Sequence, residues 1–194
     1  MTEHEHHAHD HEHHIAYDDA VRQFRAEKDE FFRTAEGSPI PAGERATFAG
    51  LPYFEVDPGL VVDRLALEPY TGTEPTRFQI PTSDGKLRPA ERAGVFGFEL
   101  EGTRGRLTAY RMAGGESDSL FVPFLDATSG TETYGAGRYL DLFPEDDGSW
   151  TLDFNLAYHP SCVYDARFSC PLTPSENRLP VRIEAGERLP IDKP

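Results

Sequence analysis

The stretch Trp150-Thr151-Leu152-Asp153-Phe154-Asn155-Leu156-Ala157-Tyr158 alternates large apolar residues with polar or small ones. Successive side chains of an extended chain point to opposite faces. Trp150, Leu152, Phe154, Leu156 and Tyr158 are therefore expected on one face, with Asp153 and Asn155 on the other. A strand with one face in a core follows. Whether the polar face meets solvent or a cavity depends on how the sheet curls, which alternation does not specify.

Outward from this strand, short apolar or alternating runs lie between Gly, Pro and Asp clusters, the pattern of an antiparallel β architecture. Strands are expected near Thr47 to Phe54, Leu60 to Leu67, Val95 to Leu100, Leu107 to Met112, Leu120 to Phe124, Arg138 to Leu142, Trp150 to Tyr158 and Val181 to Ile183. Such a set suits a mainly β fold, either an antiparallel barrel or a half-barrel or sandwich, with one N-terminal helix. The turns Glu101-Gly102-Thr103-Arg104-Gly105 and Pro144-Glu145-Asp146-Asp147-Gly148-Ser149 are each expected to close a hairpin. The helix is expected over residues 15–34, where Ile15, Tyr17, Val21, Phe24, Phe31 and Phe32 recur near helical spacing. Gly37 and Ser38-Pro39-Ile40-Pro41 end it.

The 194 residues carry 34 acidic and 19 basic side chains, a formal net charge of −15. Such a surface repels phosphate backbones and anionic headgroups, which argues against nucleic-acid and membrane partners. Only three of the bases are lysines, Lys28, Lys86 and Lys193, a bias that suits a GC-rich genome or a salty cytoplasm. The residues present form no basic, apolar leader and no apolar run of membrane-spanning length, so a cytoplasmic location is expected, with both cysteines reduced.

Residues 1–14 hold seven of the eight histidines, His4, His6, His7, His9, His11, His13 and His14, interleaved with acids. Nothing there buries a face, so a disordered tail is expected, followed by a single β-rich domain over 15–194. Neutral imidazoles at this density could bind Zn²⁺, Ni²⁺ or Cu²⁺. No other cofactor is indicated.

Several segments after residue 120 share one further character. They are Asp126-Ala-Thr128-Ser129-Gly130-Thr-Glu132-Thr133-Tyr134-Gly135-Ala-Gly137-Arg138-Tyr139-Leu-Asp141, then Asp153-Phe-Asn155-Leu-Ala-Tyr158, Cys162-Val-Tyr164 and Ser169-Cys170-Pro171-Leu-Thr-Pro174-Ser-Glu176-Asn177-Arg178. With Lys28-Asp29, Phe31-Phe32, Ser38-Pro39, Phe48-Ala-Gly50-Leu51 and Tyr53, this pattern resembles the prokaryotic family called domain of unknown function 1684. The resemblance covers nearly all of the chain after the tail. It implies a family identity but brings no catalytic residues. The chain departs from that pattern at His159, where asparagine is more usual, and in its tail.

Read by their own chemistry, Asp126, Thr128, Ser129, Glu132, Thr133, Tyr134, Arg138 and Tyr139 form a loop rich in hydroxyls, charges and glycines that could converge on a polar ligand. The same residues make ordinary turns, with Asp126 as a cap and Arg138 paired to Glu132 or Asp153. Asp153, Asn155 and Tyr158 could supply a polar wall, and Asp141 across a hairpin could complete a carboxylate pair; the alternative is a solvated sheet face. Cys162 and Cys170 could be buried thiols, a disulfide or, with His159, metal ligands. Tyr164, Cys170 and Asn177 complete the candidate set on a proline-stiffened segment. The reading is a small polar ligand bound by the 126–138 loop, the 150–158 strand and the 162–177 segment, with catalysis and oligomeric state left open. The alternatives are a metal-handling protein that uses the tail and a non-catalytic interaction module.

Overall fold

The computed structural model describes residues 3–100, 102–115 and 118–190, with side chains described from Ala16 onward. One helix, α1 (Glu3–Thr34), precedes seven strands: β1 (Val61–Leu65), β2 (Arg77–Pro81), β3 (Leu87–Leu100), β4 (Thr103–Met112), β5 (Leu120–Phe124), β6 (Arg138–Leu142) and β7 (Trp150–Asp153). The expected disordered tail and its histidine ligands fall outside the described side chains.

Five strands form one antiparallel sheet in the order β2-β3-β4-β5-β6, and β1 pairs with β7 in a separate two-stranded sheet. The fold is mainly β with one helix. No closed barrel forms, because β2 and β6 remain the two edges. The core lies between the inner face of the large sheet and the β1–β7 pair, where Phe96, Leu107, Val122, Phe124 and Leu140 meet Leu152, Phe154, Ile183 and Ala185. Burying each large side chain contributes roughly 1.5–3 kcal/mol. Alternation turns Thr108, Tyr110, Phe121 and Tyr139 to the outer face. Across that face runs the chain from Tyr158 to Leu172, which bridges to Tyr139 on the β6 edge and, through Pro171, to Thr82 beyond the β2 edge.

Four expectations about strands change. The 150–158 segment is not one strand: β7 stops at Asp153, whose carboxylate accepts the Asn155 N–H at 2.9 Å and starts a 3₁₀ turn over Phe154–Leu156. Residues Thr47 to Phe54 form no strand: Asp29 on α1 accepts the Leu51 N–H at 2.9 Å, and Tyr53 makes an isolated antiparallel bridge to Glu187. Gly50 there has φ +115, and a Cβ would lie 2.7 Å from the Asp29 carboxylate. Val181 to Ile183 joins no ladder among the described residues; Asp126 accepts the Ile183 N–H at 2.7 Å. Finally, the turn at Pro144–Ser149 does not close a hairpin, since β7 leaves β6 to pair with β1. The β3–β4 hairpin forms as expected, with Leu100 opposite Thr103.

The strand with no sequence-based expectation is β2. It pairs with the first half of β3, Arg77 opposite Glu91 through Pro81 opposite Leu87, across a turn in which Gly85 has φ +78. Prolines and charges in both strands masked its periodicity. An edge strand tolerates them because one side of its backbone needs no partner.

Candidate functional site

The 126–138 loop folds onto itself, its polar side chains bonded within the loop and to the C-terminal segment. Asp126, Thr128, Thr133 and Arg138 are all buried. Asp126 accepts from the Thr128 hydroxyl at 2.9 Å and the Ser129 hydroxyl at 3.1 Å, and the Thr128 and Thr133 hydroxyls bond to each other at 3.0 Å. Arg138 pairs with Asp126 at 3.6 Å, correcting the expected Glu132 or Asp153 partner. Its guanidinium donates to the carbonyls of Ile183 at 2.8 Å, Glu187 at 3.2 Å and Ala185. Burial lowers the Arg138 pKa to about 10, while the Asp126 carboxylate opposes that shift. These groups hold the C-terminal segment to the sheet. Glu132 lies outside this cluster, in an exposed pair with Arg182 at 2.7 Å.

Asp153 and Asn155 also work inside the fold. The Tyr17 hydroxyl of α1 reaches both Asp153 oxygens, at 2.9 and 2.8 Å, and the Asn155 amide donates to the Asp57 carbonyl at 2.8 Å. They dock the helix on the β1–β7 pair. Asn177 is a second internal clamp. Its side chain accepts the Thr108 N–H at 2.8 Å and donates to the carbonyls of Thr108 at 2.8 Å and Pro123 at 2.7 Å. It thereby fills the gap where β4 and β5 share only the Tyr110–Phe121 pair among the described residues.

His159 and Tyr164 converge on Glu187. The Glu187 carboxylate accepts the His159 N–H at 2.7 Å and the Tyr164 hydroxyl at 2.9 Å, with Lys28 Nζ at 2.6 Å. The Tyr134 N–H donates to His159 Nε2 at 3.2 Å, which leaves Nδ1 as the protonated nitrogen, 3.7 Å from Glu187. Burial lowers the His159 pKa to about 3, helped by the charges of Arg138 and Lys28. Both ring nitrogens thus face groups other than the thiols, Nε2 the Tyr134 N–H and Nδ1 the Glu187 carboxylate. Among the described residues no group of three or more His, Cys, Asp or Glu could hold a metal ion, so the expected His159–Cys162–Cys170 ligand set is not assembled.

Three of the expected ligand residues do share a cavity. A cleft of about 530 Å³ opens where the crossing segment leaves the outer face, and Tyr139, Tyr158 and Cys170 line it together with Phe121, Arg88 and Arg167. The aromatic wall is fixed by edge-on packing: Tyr139 meets Phe121 at 4.7 Å and Tyr158 at 5.6 Å between ring centroids. The two phenols are occupied, Tyr139 donating to the Pro171 carbonyl and Tyr158 to Asp141. Burial raises both above the ordinary phenol range. Arg167 is held by Asp165 at 2.5 Å, whereas Arg88 makes no ion pair among the described residues. Nothing in the sequence pattern marked Arg88 or Phe121, because β3 and β5 bring them over from distant parts of the chain.

A second cleft, of about 480 Å³, lies beyond Tyr158 and is lined by Phe24, Phe143, Asp141, Glu145 and Asp153 among others. The carboxylate pair expected from Asp141 and Asp153 is split in its contacts, one oxygen set held by Tyr158 and the other by Tyr17. Asp141 is open to water at the cleft mouth but crowded by protein elsewhere, and that crowding raises its pKa.

An open five-stranded sheet with a cleft on its outer face defines a mainly β protein whose polar loops are largely structural. The chain belongs to the family described as protein of unknown function (DUF1684), whose model matches residues 46–188. It is similar to the solution NMR structure of an uncharacterised protein from Haloarcula marismortui, with 39% sequence identity, 94% of this chain and 99% of that chain covered, and a TM-score of 0.68. No curated protein matches it. Among the described residues no helix is long and apolar enough to cross a membrane.

Proposed function

We propose that this is a cytoplasmic protein that binds a small, planar anion, such as an aromatic carboxylate or phosphate, in the outer-face cleft. The observation that supports the reading is a local reversal of charge. Acids outnumber bases 34 to 19 in the chain, yet two arginines and no carboxylate line this cleft. Arg88 is exposed and without an ionic partner among the described residues, so a guanidinium fork is available for a bidentate anion contact. Phe121, Tyr139 and Phe168 supply flat apolar area beside it, the combination of apolar wall and few polar groups that small-molecule sites use.

Calorimetric titration with benzoate, phenyl phosphate and inorganic phosphate tests this, on the wild type and on Arg88→Glu. Saturable binding of a ring-bearing anion, weakened at least tenfold by the substitution, is the expected result. If none of the three binds, or if the charge reversal leaves affinity unchanged, the proposal fails.

A further inference from the structure

Cys162 and Cys170 are both free, but they are not independent thiols. The Cys162 N–H donates to Cys170 Sγ at 3.3 Å, which sets the two residues side by side. Their settings differ. Cys170 is anchored to the sheet edge: its N–H donates to the Ser83 hydroxyl at 3.1 Å, and its carbonyl accepts the Ser83 N–H at 2.8 Å. It is 8% exposed, and burial pushes its thiol up to about 11. Cys162 is half-buried on a single 3₁₀ turn, Ser161–Val163, where a side-chain rotation needs little rearrangement of the sheet. One thiol is therefore rigid and protonated, and the other is movable and more open.

We infer that Cys162 and Cys170 form a reversible dithiol–disulfide pair that exchanges with small-molecule disulfides. This does not depend on anion binding in the cleft. The chemistry is two successive exchanges. The Cys162 thiolate attacks one sulfur of a disulfide R–S–S–R; a protein mixed disulfide forms, and the departing R–S⁻ takes up a proton. Cys170 then gives its proton to solvent and attacks Cys162 Sγ, expelling the second R–S⁻, which is protonated in turn. Two protein thiols are oxidised, one small disulfide is reduced to two thiols, and hydrogens balance. The division of labour follows from the settings: the open thiol is the entry point, and the buried neighbour resolves the adduct. Closure of the short loop between them makes the second step intramolecular.

The test uses the full chain incubated with oxidised glutathione, then alkylated and weighed by mass spectrometry. The wild type is expected to lose both alkylation sites without keeping a glutathione adduct, and to regain them in reduced glutathione. Cys170→Ser should accumulate a single adduct on Cys162, because nothing resolves it. Cys162→Ser should react at least tenfold more slowly than Cys170→Ser. A wild type that keeps two alkylatable thiols, or that stops at glutathione adducts, overturns the inference. That wild-type result decides the matter even if a serine variant fails to fold.

Discussion

Lys28 Nζ lies 2.6 Å from the Glu187 carboxylate, joining the N-terminal helix to the C-terminal segment. Charge attraction across this short distance holds the contact. Glu187 is 1% exposed. Its other oxygen organises the His159 N–H and the Tyr164 hydroxyl, and Lys28 also lies 4.6 Å from the centroid of the Tyr158 ring. One buried carboxylate thus ties together the helix, the crossing segment and the chain's end.

Lys28→Met takes away the ion-pair partner of that buried carboxylate, and losses of this kind cost about 3–5 kcal/mol. Urea denaturation should show the midpoint falling accordingly. Adding Glu187→Gln to Lys28→Met should recover part of the loss, because the buried charge is then gone while the acceptor for His159 and Tyr164 remains. If the single substitution costs less than 1 kcal/mol, the pair is not holding the helix.

His159 makes stability depend on pH in a definite direction. Its folded-state pKa, about 3, is below the unfolded value of 6.5, so the unfolded chain takes up a proton first. The contribution is complete above pH 6.5 and is lost as pH falls towards 3. Between pH 6.5 and 5 the loss amounts to about 2 kcal/mol. His159→Asn removes the titrating group, so the difference in unfolding free energy between wild type and variant should shrink across that window. A constant difference would show that the ring takes up its proton alike in the folded and unfolded chain, so that burial does not shift its pKa.

The sequence made the sheet more legible than the site, and particular residues show why. β5 and β6 fall at Leu120–Phe124 and Arg138–Leu142 as expected, because one is a short apolar run and the other alternates, each bounded by turn residues. The 150–158 stretch has the same periodicity but turns at Asp153, where a side chain captures the backbone; local capping competes with strand extension in a way that periodicity cannot register. At the site, composition marked Tyr139, Tyr158 and Cys170, which share a cleft, but it could not distinguish a polar residue facing a cavity from one facing its own backbone. Asp126, Arg138 and Asn177 are of the second kind. Arg88 lies some fifty residues before Tyr139 in the chain and reaches the cleft only through sheet pairing.

Asn177 replaces a missing stretch of ladder, and its removal should be felt on both neighbouring strands. Asn177→Ala deletes three hydrogen bonds and leaves the Thr108 N–H, the Thr108 carbonyl and the Pro123 carbonyl without that partner inside the protein. An unsatisfied buried group costs about 1–3 kcal/mol, so a total loss of about 3 kcal/mol is expected after partial relaxation. Hydrogen exchange should localise it, with the Thr108 amide losing protection relative to amides in the β2–β3 pair. Uniform loss across the sheet, or none, would show that Asn177 does not bridge β4 and β5.

Arg138→Lys tests whether shape or charge matters at the buried core of the 126–138 loop. The guanidinium spans the carbonyls of Ile183, Ala185 and Glu187 while pairing with Asp126, and a single ammonium keeps the charge but not the planar fork. At least one of those buried carbonyls then loses its donor, and the strongly hydrated ammonium is harder to bury than the guanidinium. Thermal unfolding should show a loss of about 2–4 kcal/mol, with protease cleavage appearing first in the segment from Val181 to Glu187, since that is the stretch the fork holds down. A lysine variant as stable as the wild type would mean that Asp126 needs only a positive charge beside it, and that the C-terminal segment is fastened by Lys28 and Glu187 instead.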